Sequence, residues 1–399
     1  MAVQSYIDGD EVTDVVMDGS VTRKLNRPAE ATIRIPTQYT VGQIGSRLKV
    51  VIEGVLSFHG MILTISDDCG EDTGYTEYVA LDPMELWQWR PARDPDGDFS
   101  DPDFMRVVKQ GPQIMQQILQ TSEALIELGA DDAEGPLFIS YGTFETGGID
   151  LSGAPTNWPM TISDIGNLLT STGELDIVLT PIDAGGNMAE VSCYNGDYGQ
   201  NLSGSVVFEY ATGAHNVREL RQVEDGTTMA NKIWYYLGPR LNQQHWHASV
   251  TGGDPSEWQQ SPYYAAFLQV LAERDVSRNA FGVRMDVQIH DTRNDEGQIG
   301  LWLFRRLWII EQFIRNFPRQ LVHFMPIRGY DPNAFGIGDI IGINVGTYVR
   351  GPFPRPGLDL QIRGFSGAMR VFEYTVSWDE DGVTEITDIV CSPDAGVNV

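Results

Sequence analysis

The sequence is poor in cysteine, in basic residues and in uninterrupted apolar runs, and each shortage removes a class of function. Its 3 cysteines, Cys69, Cys193 and Cys391, are odd in number, far apart and without a Cys-x-x-Cys pair. Neither a disulfide framework nor a structural zinc is expected, and synthesis in a reducing cytoplasm fits. Lys and Arg number 27 against 55 Asp and Glu, a formal net charge of −28. Clustered cations to displace counterions from DNA or RNA are therefore lacking, and an anionic membrane surface repels such a chain. The most apolar stretch, residues 300–319, is interrupted by Arg305, Arg306, Glu311 and Arg315. Its stripe of Leu303, Leu307, Ile310, Ile314 and Phe317 predicts a buried helix and no membrane span. The N-terminus has neither a basic start nor a long apolar core, so no signal peptide is expected. Also missing are His-Glu-x-x-His, Gly-x-Ser-x-Gly and a phosphate-binding Gly-x-x-x-x-Gly-Lys-Ser/Thr loop.

What is present is a repeat. Ile44-Gly45-Ser46-Arg47-Leu48-Lys49-Val50-Val51-Ile52 lines up without a gap on Ile337-Gly338-Asp339-Ile340-Ile341-Gly342-Ile343-Asn344-Val345. A Phe-x-Gly strand follows in each case, Phe58-His59-Gly60 in the first copy and Phe365-Ser366-Gly367 in the second. Both copies then reach an acidic turn and a last strand, over residues 75–81 and 384–390. Such order at two ends of one chain is what a duplicated antiparallel β unit leaves behind.

With 399 residues and 42% hydrophobic content the chain is long enough for two to four folded domains. The first unit opens with strands over 6–14, 18–25 and 31–36 and ends near Trp87-Gln88-Trp89. A Pro/Asp-rich stretch then marks a boundary. Apolar spacing predicts helices over 113–128, 161–172, 255–277 and 300–316. The second of these starts at Thr161 with Asp164 three residues on, a capping pattern. Asp183-Ala184-Gly185-Gly186-Asn187 reads as a hairpin turn. The fold class predicted is α+β, mainly β: two related antiparallel β-barrels with an α+β insert and a helical insert. The division is a first barrel over 1–90, a linker over 91–103, an α+β insert over 104–212, a second barrel split between 213–245 and 320–399, and a helical insert over 246–319.

No motif supplies a catalytic, cofactor-binding or metal-binding residue. Gly336-Ile337-Gly338-Asp339-Ile340-Ile341-Gly342 imitates a dinucleotide fingerprint, but its third glycine falls one residue late and no βαβ unit surrounds it. A turn entering a strand accounts for it better. Asp94, Asp96, Asp98, Ser100, Asp101 and Asp103 offer hard oxygens without EF-hand spacing, and a solvated acidic linker is preferred to a calcium site. His245-Trp246-His247 sets two imidazoles on one face of an extended chain with no third ligand nearby. Abundant Trp and Tyr suit buried packing first, then an assembly interface or a sugar-binding surface.

The split pair of β units with its inserts resembles a tail hub protein of long-tailed bacteriophages, specifically minor tail proteins of phages of actinobacteria. The carrying residues are Gly45 to Ile52 with Phe58-His59-Gly60, and Gly338-Asp339-Ile340-Ile341-Gly342-Ile343 with Met369-Arg370-Val371. The resemblance implies a baseplate-like structural protein of the virion tail tip, made in the host cytoplasm, with no enzymatic centre and no cofactor. It implies a homotrimer whose two barrels per subunit build a ring of six similar units between the tail tube or distal tail protein and a tip fibre or spike, with genomic DNA passing through unbound. Three copies would carry three times −28, or −84, and an acidic lumen would let DNA slide. The competing reading is an acidic β-rich carbohydrate-binding or glycan-hydrolysing protein acting at the host envelope.

Overall fold

The computed structural model describes residues 3–39, 41–69, 74–92, 110–127, 136–147, 161–170, 175–210, 215–227, 229–237, 244–245, 264–290, 315–316, 319–346, 348–349, 361–362 and 365–393. They form a mainly β protein of the α+β class, dominated by one 13-stranded sheet.

The chain opens with β1 (Val3–Ile7), β2 (Asp10–Glu11), β3 (Asp18–Lys24), β4 (Glu30–Pro36), β5 (Arg47–Ile52), β6 (Val55–Cys69) and β7 (Gly74–Leu81). Strict alternation makes these strands: in β4 and β5 every second side chain is buried, Ala31, Ile33 and Ile35 in one, Leu48, Val50 and Ile52 in the other. They hydrogen-bond in the order β1-β5-β6-β7-β4-β3. A 3₁₀ turn, Pro83–Trp89, closes the unit, capped by the Asp82 side chain on the Met84 N–H.

An α+β insert follows, with α1 (Gly111–Glu127), β8 (Ile139–Phe144), α2 (Ile162–Thr170), β9 (Asp176–Ala184) and β10 (Asn187–Tyr194). Ile114, Met115, Ile118 and Leu119 form the buried face of α1. The capping pattern at α2 is realised in both directions. The Asp164 N–H donates to the Thr161 hydroxyl at 3.1 Å and the Thr161 N–H to the Asp164 carboxylate at 2.9 Å. The β9–β10 turn uses Gly185 and Gly186 at φ +63° and +84°, the left-handed pair a two-residue hairpin needs. The insert sheet runs β8-β10-β9.

The remaining elements are β11 (Val207–Tyr210), β12 (Val217–Asp225), β13 (Lys232–Leu237), β14 (Gln244–His245), α3 (Tyr264–Phe281), β15 (Met285–His290), β16 (Arg319–Pro326), β17 (Ile340–Val345), β18 (Tyr348–Val349), β19 (Gln361–Ile362), β20 (Phe365–Trp378) and β21 (Thr384–Ser392). Six of them form a second unit, β11-β17-β20-β21-β16-β12. Its β20 also pairs with β3, from Glu373 opposite Lys24 to Trp378 opposite Gly19, and this one ladder fuses the two units. Their apolar faces share a core that includes Ile33, Leu48, Phe58, Phe208, Phe324, Ile343 and Val371.

Two boundaries differ from the sequence reading. Residues 207–210 fall inside the expected insert, yet they form β11 on β17, because Phe208 is buried with Phe324 and Phe335 in the main core. β13 was expected in the second unit, but it pairs with β14 and β15 in a separate sheet. β13 and β15 run parallel on either side of α3, and Asn231 locks the crossover. Its side chain donates to Ser277 Oγ and the Gly282 carbonyl and accepts from the Arg284 N–H. The expected helix over 300–316 lies outside the described residues apart from Arg315 and Asn316, and the linker over 91–103 does so apart from Pro91 and Ala92.

Candidate assembly surface

The residues that carried the repeat occupy matching places. The Gly45 N–H donates to the Ile62 carbonyl at 2.9 Å and the Ile62 N–H to the Ser46 carbonyl at 2.9 Å. In the second unit the Gly338 N–H donates to Val371 at 2.8 Å and the Val371 N–H to Asp339 at 2.9 Å. Both glycines have left-handed φ, +90° and +82°. A β-bulge follows at the same point, between Ile62 and Thr64 and between Val371 and Glu373. The glycine-rich stretch 336–342 is thus a turn feeding β17.

One alignment moves. Leu48 pairs with Gly60 and its counterpart Ile341 pairs with Met369, so Gly60 matches Met369 and the two Phe-x-Gly triplets are two residues out of step. The physical reason is local. A Cβ at Gly60 would run into the Leu81 carbonyl and the Phe58 ring, whereas around Gly367 there is open space. The two glycines look alike in sequence and answer to different demands.

The insert is fastened to both units. On the second, Arg370 Nη2 donates to Asp176 Oδ2 at 2.6 Å with the carboxylate buried, and the same guanidinium donates to the carbonyls of Tyr198 and Gly338. On the first, the Ile177 N–H donates to Asn26 Oδ1 at 2.6 Å, His59 Nδ1 to the Ile182 carbonyl at 2.6 Å, and Lys49 to Asp183 at 2.8 Å. Burial holds the His59 imidazole below its ordinary range, against the Ile182 carbonyl that favours the charged ring.

A cavity of about 90 Å³ sits at this joint, lined by Arg23, Lys24, Arg27, His59, Asp82 and Tyr198. Backbone engages Arg23, His59 and Asp82, and Lys24 pairs with Glu30. Arg23 donates twice to the Ser57 carbonyl, and Asp82 accepts from the Ala29 and Met84 N–H groups. Burial pushes the Asp82 carboxyl up to about 7, and the two N–H donors oppose that rise. The cavity therefore reads as a structural joint between unit and insert. His245 lies in β14, Trp246 and His247 lie outside the described residues, and no three metal-ligating side chains cluster among the described residues.

The surface features that remain are strand edges, and the sequence reading did not point to them. Beyond Ile62, β6 pairs only with β7 among the described residues, leaving residues 64–68 with one open edge. β12 pairs only with β16 among the described residues. Thr64, Ser66, Asp67 and Asp68 are exposed, as are Arg218, Glu219, Arg221 and Gln222. Charged residues on a strand that otherwise alternates are the signal that could have marked these edges, because open edges are guarded by charge against indiscriminate pairing. Val276, Phe281, Val283 and Met285, around the end of α3, add exposed apolar side chains.

No family model matches the chain, and no curated protein matches it. Solved structures do. The tail protein from Neisseria meningitidis MC58 superposes with a TM-score of 0.53 at 10% identity, covering 98% of this chain and 96% of that one. The 43 kDa tail protein of prophage MuSo2 from Shewanella oneidensis superposes with a TM-score of 0.56 at 12% identity, covering 100% and 99%. This chain has, over its whole length, the fold of those two tail proteins.

Proposed function

We propose that this chain is a non-enzymatic structural protein of a phage tail, a tip hub that assembles as a homotrimer. Three copies place six similar β units in a ring, joining the six-fold tail tube or distal tail protein to a three-fold fibre or spike and leaving a channel for genomic DNA. The observation that carries this reading is the duplicated unit: one chain holds two copies of the same strand order, linked edge to edge by the β3–β20 ladder. A ring built on a duplicated unit can meet six-fold and three-fold neighbours at once. The full-length fold shared with two tail proteins supports it. Location at the virion tail tip, and the actinobacterial host carried by the sequence resemblance, belong to the same proposal.

Light scattering on the purified chain tests it. The expected mass is three times 44.3 kDa, and electron microscopy should show a ring with six similar lobes. A monomer at every concentration up to that of a tail-assembly mixture overturns the reading.

A further inference from the structure

The β3–β20 ladder is half of a pattern. Because the units correspond strand for strand, each edge in this ladder has a counterpart elsewhere in the molecule. The distal half of β20 corresponds to the distal half of β6: both begin after the shared bulge, with Glu373 opposite Val390 of β21 and Thr64 opposite Val79 of β7. The strand that receives it, β3, corresponds to β12. Ala31 of β4 faces Ala80 while Val322 of β16 faces Cys391, and their outer partners are Val21 of β3 and Gln222 of β12. Inside the chain these two kinds of edge are paired. Their counterparts, residues 64–68 of β6 and the outer edge of β12, are the open edges described above.

We propose that copies of this chain join head to tail by antiparallel pairing of the distal half of β6 in one copy with β12 of the next, in the register that β20 takes on β3. This rests on the ring reading and names the contact that would close the ring. Repeating an internal contact between copies gives a heterologous interface, which closes into a ring when its rotation allows. The internal ladder fixes the register. Thr375 opposite Thr22 becomes Ser66 opposite Val223, and Ser377 opposite Ser20 becomes Asp68 opposite Arg221.

The side chains at those positions suit one another. Asp68 and Arg221 are both exposed, and the register sets their opposite charges directly across the new ladder. Ile65 and Leu220 already pack half-buried at the rim of the main core, and the pairing would cover both. Where the internal ladder buries Val376 against Val21, the new one would set Asp67 against Gln222, two exposed polar residues. An edge that must stay soluble before assembly is expected to be the more polar of the two.

Paired cysteines test the register. In the internal ladder the hydroxyls of Thr22 and Thr375 lie 2.9 Å apart, so side chains at that position meet. Opposed residues of an antiparallel pair have Cα atoms about 4.5–5.5 Å apart, within disulfide reach. In a Cys69→Ser background, Ser66→Cys with Val223→Cys should give covalent dimers and trimers on a non-reducing gel. Thr22→Cys with Thr375→Cys should cross-link within one chain, and Ser66→Cys with Arg218→Cys should not cross-link. Asp68→Lys or Arg221→Glu alone should weaken association, and the two together should restore it. If light scattering shows a trimer but the Ser66/Val223 pair gives only monomer bands and the charge reversals change nothing, the strand pairing is wrong and the ring reading survives. A chain that stays monomeric sinks both. A ladder of bands beyond three copies would support the pairing and overturn closure at three.

Discussion

In the first unit the strand after the glycine turn, β5, is flanked by antiparallel β1; in the second its counterpart, β17, is flanked by parallel β11. Elsewhere the two units agree in strand order, in the hydrogen bonds of the turn and in the position of the bulge. Their side chains do not agree. Arg370, which holds the insert, stands where the first unit has Met61, each in the ladder beside its glycine turn, opposite Ile340 and Arg47 respectively. What persisted is backbone geometry, and what diverged is the partner each unit meets: the second unit carries an arginine that pairs with a buried carboxylate of the insert, and the first leaves the far half of its long strand open.

The sharpest way to break the comparison is at that charge. Arg370→Ala leaves the Asp176 carboxylate, 2% exposed, without its cation though still accepting from the Tyr198 N–H, and removal of one partner of a buried pair costs about 3–5 kcal/mol. Chemical denaturation should show that loss, with Met61→Ala costing less because it leaves no charge behind. Equal losses at the two places would mean that the ion pair is not what fastens the insert to the second unit.

Next in size is Gly338→Ala. A Cβ there lies 2.7 Å from both the carbonyl oxygen and the ring of Tyr198, and φ is +82°. Overpacking of this kind costs about 1–3 kcal/mol, on top of about 1–2 kcal/mol for the left-handed backbone. The melting temperature should fall well below that of Gly45→Ala.

The joint at Asp82 separates the units by pH, since Pro393 occupies the matching place after β21. The folded-state pKa of Asp82 is about 7 against an unfolded value of 3.8. The folded chain therefore binds this proton more tightly, and the contribution is fully present below the unfolded value. It falls as pH rises between the two values and is gone above the folded one. Urea midpoints at pH 5 and pH 8 should differ less for Asp82→Asn than for the parent chain. An unchanged difference would show that the carboxyl is ionised throughout.

Local pattern made the strands legible: the alternating stretch 31–36 in β4, the capping pair at Thr161 and Asp164, and the Gly185-Gly186 turn all appear in the structure where their chemistry placed them. The mainly β class followed from them. Less legible was anything decided between distant segments. The parallel partnership of β13 with β15 depends on a crossover over α3, and β11 is placed by Phe208 packing on Phe324 and Phe335, more than a hundred residues away. The two-residue slip at Gly60 and Gly367 arose because a glycine required by a neighbouring backbone and a glycine in open space are the same letter. The open edges were hard to read for a related reason: an edge is defined by the strand it does not have, and only its exposed charges mark it.

The smallest effect is the most discriminating. Gly45 shares its turn, its hydrogen bonds and its φ of +90° with Gly338, but a Cβ there would meet nothing within 4 Å. Gly45→Ala should thus cost only the backbone term, about 1–2 kcal/mol. The gap between the two alanine variants measures the close approach of Tyr198, and with it how tightly the insert presses on the glycine turn of the second unit, a turn it leaves clear in the first. If thermal denaturation gives the two substitutions the same cost, strain in the turn accounts for both. The insert would then sit on the second unit without steric demand, and the asymmetry would reduce to the Arg370 pair alone.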